Sequence, residues 1–268
     1  MAYKTIFALL TALTTSILAR PPDVTFLCNE MPEICTNMCW AVRCAQPSFS
    51  QAFTLEPGSY GPGPQNETIA ISASCRINNL CGNLHGLNKT GHRDHPYSAC
   101  NAYPFSISTE GSPLPPTIST TSQVSRCVPE EEQCEQRTQL ELLAQRLQKQ
   151  QQNGKQQGLR QLSINFGNPG GIKYCSNDPC VNDGFEVQNS SVSRRSEAPL
   201  FKYYKTKSGI TIASLDDIDM PSVITRRVGS GESIPAGFRT WFEQSREVTV
   251  HMVEDAITQR LSAQPFVA

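Results

Sequence analysis

The sequence lacks an excess of charge of either sign. Its formal charge is −1 over 268 residues, and it becomes −2 (−1 − 1) if Lys4 leaves with an N-terminal leader. Long-range attraction of the whole chain to a polyanion is therefore excluded, and any basic site must be local. Beyond the first residues there is no apolar run long enough to span a bilayer, so no membrane partner is expected. No internal repeat is present, which excludes a solenoid or propeller. Histidine is scarce, with four in the chain. None lies near Cys35 and Cys39, or near Cys75 and Cys81, in the pattern of a zinc knuckle. No cysteine follows Cys180, so the last third of the chain has no covalent framework of its own.

What is present is a secretory pattern. Lys4 precedes the small, apolar run "TIFALLTALTTSILA", and Ala19 before "RPPD" is a cleavage edge. Residues 1–19 are thus expected to be a signal peptide, and the mature chain to be secreted and extracellular. The eleven cysteines agree, because thiols in that number pair as disulfides in an oxidising compartment. Their odd number leaves at least one without an intramolecular partner. Sequons at Asn66, Asn88 and Asn189 are candidate N-glycan acceptors, and a monomer is expected. Gly, Pro, Ser and Gln are plentiful, which predicts a loop-rich domain held by disulfides.

Along the chain, "CNEMPEICTNMCWAVRC" (residues 28–44) predicts a short helix or turn tied on both sides. "PGSYGPGPQNET" reads as an exposed loop and "ETIAISASC" as a strand. "YPFSIS" predicts a short strand broken at Pro104, and "VSRCV" another strand. Leu140, Leu143, Ala144 and Leu147 fall at i, i+3, i+4 and i+7, so residues 135–152 predict a helix with one apolar stripe. "LRQLSINFG" predicts a strand. Residues 181–199 read as a linker. Residues 200–268 read as a C-terminal extension, either a second module or an addition to the first sheet. Within it, "FKYYKTKSGITIAS" predicts a hairpin turning at Lys207–Gly209, and "REVTVHMVEDAITQRL" a terminal helix with Val248, Met252, Ala256 and Ile257 on one side. Arg194–Arg195 and Arg226–Arg227 are dibasic pairs, read as ordinary exposed loop residues in preference to protease sites.

Four segments in order carry a resemblance. "CNEMPEICTNMCWAVRC" resembles the cysteine block of fungal secreted members of the NucA/NucB-type deoxyribonuclease family. "CNAYPFSISTEG" is similar to the family's central Cys-Asp-Glu-Tyr-Pro-Phe followed by Glu-Gly-Gly. "SRCVPEEEQCEQRTQL" is similar to its Cys-Val-Pro element, and "LSINFGNPGGIKYC" to its closing strand. The resemblance runs from Cys28 to about Cys175. It implies an α+β fold, a small disulfide-rich domain over residues 20–180 with a ββα-metal nuclease-like core. It also implies a metal-dependent endonuclease acting on DNA or RNA with Mg²⁺ or Mn²⁺. Phosphodiester hydrolysis needs a base for water and a cation for the developing charge, which clustered carboxylates and an amide can supply. On this basis Asn101, Glu110, Glu131 and His92 are candidate catalytic residues, and Glu132 and Gln133 candidate metal ligands.

The chain departs from that pattern where chemistry is concentrated. Asn101 stands where the family has Asp, Ala102 where it has Glu, and Ser112 at the second glycine. Gln133 replaces the usual Asn, and Gln136-Arg137-Thr138 replaces Gln-Gly-Gly. An amide has no useful basicity at neutral pH, so Asn101 cannot act as a base. His92, Asp94 and His95 lie just upstream, and a histidine there is a base of suitable pKa. Three readings stay open: an endodeoxyribonuclease weakened by the loss of its Asp, a catalytically inactive binding or effector protein on the same scaffold, and a plain cysteine-rich surface or toxin-like protein. The family's Cys-Val-Pro element does not carry a second cysteine, which marks Cys134 as the odd thiol. Basic residues at 137–160, and at 194–207 with Phe201, Tyr203 and Tyr204 interleaved, are candidate phosphate and base contacts.

Overall fold

The computed structural model describes residues 24–46, 49–55, 96–105, 108, 110, 123–152, 160–181, 186–188, 193–194, 197–245, 248–262 and 264–266. The candidate leader, the three sequons, the predicted strand at 67–75 and His92, Asp94 and His95 all lie outside them. The fold is α+β, as expected. Its elements are β1 (Val24–Leu27), α1 (Pro32–Cys39), a π-helical turn (Trp40–Cys44), β2 (Ala45–Gln46), β3 (Ala52–Leu55), β4 (Tyr97–Tyr103) and β5 (Val124–Pro129). They continue with α2 (Glu130–Gln152), β6 (Arg160–Gly167), β7 (Glu186–Gln188), β8 (Ser193–Arg194), β9 (Lys202–Thr206), β10 (Thr211–Ser214), β11 (Ser222–Arg227), β12 (Thr240–Gln244) and β13 (Thr249–Leu261).

The main sheet runs β1-β6-β10-β9-β13-β11, with β3 beside the first half of β6 and β12 beside the first part of β13. β1 and β6 are parallel, with Phe26 opposite Phe166. The sheet rolls until β11 returns against β1, and Leu27, Tyr204, Ile210, Ile212, Ile224 and Ile257 pack together inside the roll. Its outer face carries Phe26, Phe166 and Tyr203, which join α1, the π turn and the apolar stripe of α2 in the main core. A separate three-stranded sheet, β4-β5-β7, precedes and flanks α2, so β4, β5 and α2 form a ββα unit.

Three disulfides join described residues: Cys28–Cys35, Cys39–Cys175 and Cys44–Cys180. Cys100 and Cys127 are also disulfide-bonded. Cys134 keeps its thiol, as the family comparison of the Cys-Val-Pro element had marked it. Arg43, buried in the π turn, donates from Nε to the Pro199 carbonyl (3.0 Å) and from Nη2 to the Asp178 carbonyl (2.7 Å). It thereby fastens the chain on either side of Cys180.

Several predicted elements stand. The helix is present and begins earlier, at Glu130. Its start is favoured by Glu130, Glu131 and Glu132 in the first turn, where carboxylates meet the positive end of the helix dipole. The strand at "LRQLSINFG" and the hairpin of β9 and β10 also stand. Gly209 in the hairpin turn has φ +96°, a conformation that glycine adopts without steric cost. The third segment, "YPFSIS", is shifted. The strand is Tyr97–Tyr103, and it ends before Pro104, which cannot donate to a ladder.

The terminal helix is not formed. Thr249–Leu261 is one long strand, β13, paired with β12, β11 and β9 along its length. Both Met252 and Val253 are buried, because one side meets α2 and the other fills the roll. The buried side changes once along β13, from Val250 and Met252 to Val253, Asp255 and Ile257, and this break in the alternation leaves an apolar spacing that mimics a helix. The β-branched residues Thr249, Val250, Val253, Ile257 and Thr258 favour the extended form. Residues 200–268 therefore extend the first sheet. The stretch expected as a linker also contributes β7, which pairs β5, and β8, which pairs β2. Arg226 is fully buried, so the Arg226–Arg227 pair is not an exposed loop. Its Nε meets Asp255 Oδ2 at 3.2 Å, and its two terminal nitrogens meet Glu232 at 2.6 and 2.8 Å.

Candidate functional site

β4 alternates strictly, with Tyr97, Ala99, Asn101 and Tyr103 inward and Ser98, Cys100 and Ala102 on the other side. The alternation carries Asn101 into the interface between β4, α1 and α2, where it is 1% exposed. There it joins an amide network in which its own two polar atoms are satisfied, while the buried Asn37 Oδ1 has no hydrogen-bond partner among the described residues. Its Nδ2 donates to Gln136 Oε1 (2.7 Å) and to Gln133 Oε1 (3.1 Å). Its Oδ1 accepts from Asn37 Nδ2 (2.9 Å), which also reaches the Asn101 carbonyl (3.3 Å). Gln136 in turn donates to Met38 Sδ (3.5 Å). Gln133 and Gln136 sit three residues apart on one face of α2, which is why both reach the same strand residue.

Glu132 faces α1 instead. Its Oε2 accepts from the backbone N–H groups of Glu33 (2.8 Å) and Ile34 (3.1 Å), so it caps the start of α1 from another element. Burial pushes its carboxyl up to about 7. The Glu33 carboxylate adds to the shift, while the two N–H bonds and the Arg126 guanidinium oppose it. Glu33 is held by Arg126, Nη2 to Oε2 2.8 Å and Nε to Oε2 2.9 Å, and accepts from the Tyr97 hydroxyl at 3.0 Å. Glu33, Asn37, Tyr97 and Arg126 were not singled out in the sequence, and Gln136 was noted there as a departure from the family pattern and not as a site residue. The helical spacing of Gln133 and Gln136 is the one signal that would have added any of them.

Glu110 meets β3 instead. Both of its oxygens accept from the Thr54 backbone N–H in β3, at 2.9 and 3.0 Å. Burial pushes its carboxyl up, but bonds from the Thr54 and Glu110 N–H groups and from the Thr54 and Ser108 side chains outweigh that and hold it below its ordinary value. Glu131 is exposed on α2. The structure therefore brings together Asn101 and Gln133, with Glu132 on the same helical turn, and places Glu110 and Glu131 elsewhere. His92 lies outside the described residues.

A hard divalent cation needs several oxygen ligands converging on one point, carboxylates foremost. Among the described residues no group of three or more His, Cys, Asp or Glu side chains can hold a metal. Gln133 is spent on Asn101, and one Glu132 oxygen is spent on two amide hydrogens. The described donor set does not fit Mg²⁺ or Mn²⁺.

The aromatic residues of the second basic patch are also committed. Phe201, Tyr203 and Tyr204 are buried in the core, unable to stack on a base. Lys202 is paired with Asp217 at 2.8 Å. On α2, Arg146 lies 3.7 Å from Glu243, while Lys149 is exposed.

Residues 38–156 match the family model described as Deoxyribonuclease NucA/NucB. The matched segment takes in the end of α1, the π turn, β2 to β5 and α2, and it is under half of the chain. No curated protein and no solved structure is matched by the chain.

Proposed function

We propose that the protein is a secreted, nucleic-acid-binding member of the deoxyribonuclease NucA/NucB type whose hydrolytic centre is lost. The observation that carries this reading is the burial of Asn101 in a closed network of four side-chain amides. None of them is a base at neutral pH, and both polar atoms of the Asn101 side chain are committed to neighbouring amides. Family likeness over residues 38–156 supports DNA or RNA as the partner. The apolar N-terminal run and the paired cysteines support export, and Asn66, Asn88 and Asn189 are the glycan acceptors in this reading.

A second reading is favoured by the same family match: a metal-dependent endonuclease, weakened by the Asp-to-Asn exchange. It uses Mg²⁺ or Mn²⁺, with Glu110, Glu131 and a His92 base in place of Asn101. Plasmid nicking with each metal at several pH values, run beside DNA binding by fluorescence anisotropy, separates the two. The first reading expects binding without turnover. Metal-dependent cleavage that His92→Ala or Glu110→Gln abolishes would replace it with the second.

A further inference from the structure

The β12–β13 hairpin has two unlike faces. On one, Trp241 packs with Val250 and Met252 against Leu142 of α2, and Glu243 approaches Arg146. On the other, Phe242 is 69% exposed, and its ring stacks on His251 with centroids 4.6 Å apart and planes 21° apart. Phe242 and His251 are cross-strand partners. The Glu254 N–H donates to the Arg239 carbonyl (3.0 Å), which extends the β12–β13 register back past Thr240. Alternation then puts Phe238, Thr240 and Phe242 on the same side. The Lys207 ammonium lies 5.0 Å over the Phe238 ring. Arg239, itself exposed, lies 5.9 Å from the Trp241 ring and is shared with Glu254 at 3.0 Å.

An aromatic ring left in water while already stacked on a second flat ring is a poor core residue and a good platform for a third. Nucleic-acid bases stack on such rings whatever their sequence, and neighbouring cations hold the phosphates. Phe238 and Phe242 are four strand residues apart, about 13 Å, far enough for two bases to use separate rings. Duplex DNA keeps its bases stacked internally and offers them no π face. We propose that the Phe238–Phe242 face, with His251 and Lys207, is a base-stacking platform for single-stranded DNA. The inference rests on the nucleic-acid-binding reading above, and it locates the contact outside residues 38–156.

The test is fluorescence anisotropy on the full chain with labelled oligo(dT) and with a duplex of equal length, for the parent, Phe242→Ala, Phe242→Leu and His251→Ala. Loss of one base stack is expected to weaken oligo(dT) binding about 10-fold in Phe242→Ala. Duplex affinity and melting temperature should stay at parent values. Phe242→Leu keeps an apolar side chain and removes the ring, so it should show the same loss even if the alanine variant is less stable. Parent-like oligo(dT) affinity in both Phe242 variants would overturn the platform and leave the nucleic-acid reading standing. A parent that binds neither probe would sink both. A parent dimer in sedimentation that Phe242→Ala dissociates would assign the face to a second copy and overturn the proposal.

Discussion

Exchanging Asn101 for aspartate restores the family's residue and tests whether the surrounding structure still accepts it. The Asn37 amide, 2.9 Å from Asn101 Oδ1, would still serve as a donor. On the other side, the Oε1 atoms of Gln133 and Gln136, at 3.1 and 2.7 Å from Nδ2, would face a second carboxylate oxygen. Both glutamines would have to turn their amides, and Gln136 would then give up its bond to Met38. The cross-strand neighbour Arg126 is already paired with Glu33. A buried carboxylate with repaired hydrogen bonds but no cation should destabilise the fold by about 2–4 kcal/mol at neutral pH. For a domain of this size that lowers Tm by about 5–15 °C. The sign with pH follows from burial, which raises the folded-state pKa of the new aspartate above the unfolded value of about 3.9. The penalty should be full above the folded pKa and vanish below about pH 4. Thermal melts of Asn101→Asp and the parent at acid and neutral pH measure the difference, with plasmid nicking on the same samples. A variant that melts like the parent at neutral pH and gains metal-dependent cleavage would refute the reasoning, since the position would then be open to water.

Three further outcomes follow from the same geometry. Because Glu132 holds its proton to about pH 7 in the folded state, against 4.5 ordinarily, stability should fall by up to about 3 kcal/mol as pH rises through that window. Denaturant titrations of the parent and Glu132→Gln should show the slope in the first and not in the second. Asp255→Ala leaves Arg226 buried with Glu232 as its remaining carboxylate partner, and should cost about 3–5 kcal/mol in denaturant unfolding. A loss below about 1 kcal/mol would show that Arg226 does not need Asp255. Thiol labelling of the folded protein followed by peptide mapping should mark Cys134 and leave Cys28, Cys35, Cys39 and Cys44 unmodified.

The legible parts of the molecule are those in which one face is buried and the other is wet. The stripe Leu140, Leu143, Ala144 and Leu147 announces α2 because each residue faces one core. The β9–β10 hairpin is announced by a glycine between two β-rich runs. β13 was hidden because its buried residues change sides between Met252 and Val253, and that break interrupts the period of two. The exchange at Asn101 was legible as an absence of basicity. Its consequence was not, since the partners come from residues 37, 133 and 136 and meet only once α1 and α2 pack on β4. The contact Glu132 makes with α1 was hidden for a related reason. Three successive glutamates look alike in a sequence, and only the approach of α1 selects one of them as a cap. Phe201, Tyr203 and Tyr204 looked like base contacts beside lysines, whereas Tyr203 and Tyr204 are buried on opposite faces of β9, one in the main core and the other inside the roll.

The Cys39–Cys175 and Cys44–Cys180 bridges share a sequence separation of 136 residues, and this sets how their effects combine. Either one alone confines the unfolded chain to a single long ring, which removes conformational entropy worth about 5 kcal/mol in the loop-closure model. Once one is formed, the other no longer closes that ring. It closes only the short cycle through residues 39–44 and 175–180, whose entropy is smaller and was partly removed already. The pair is thus a redundant clasp. Opening one bridge leaves the termini of the nuclease-like segment tethered, and only opening both releases the segment between them to the full freedom of an unfolded chain.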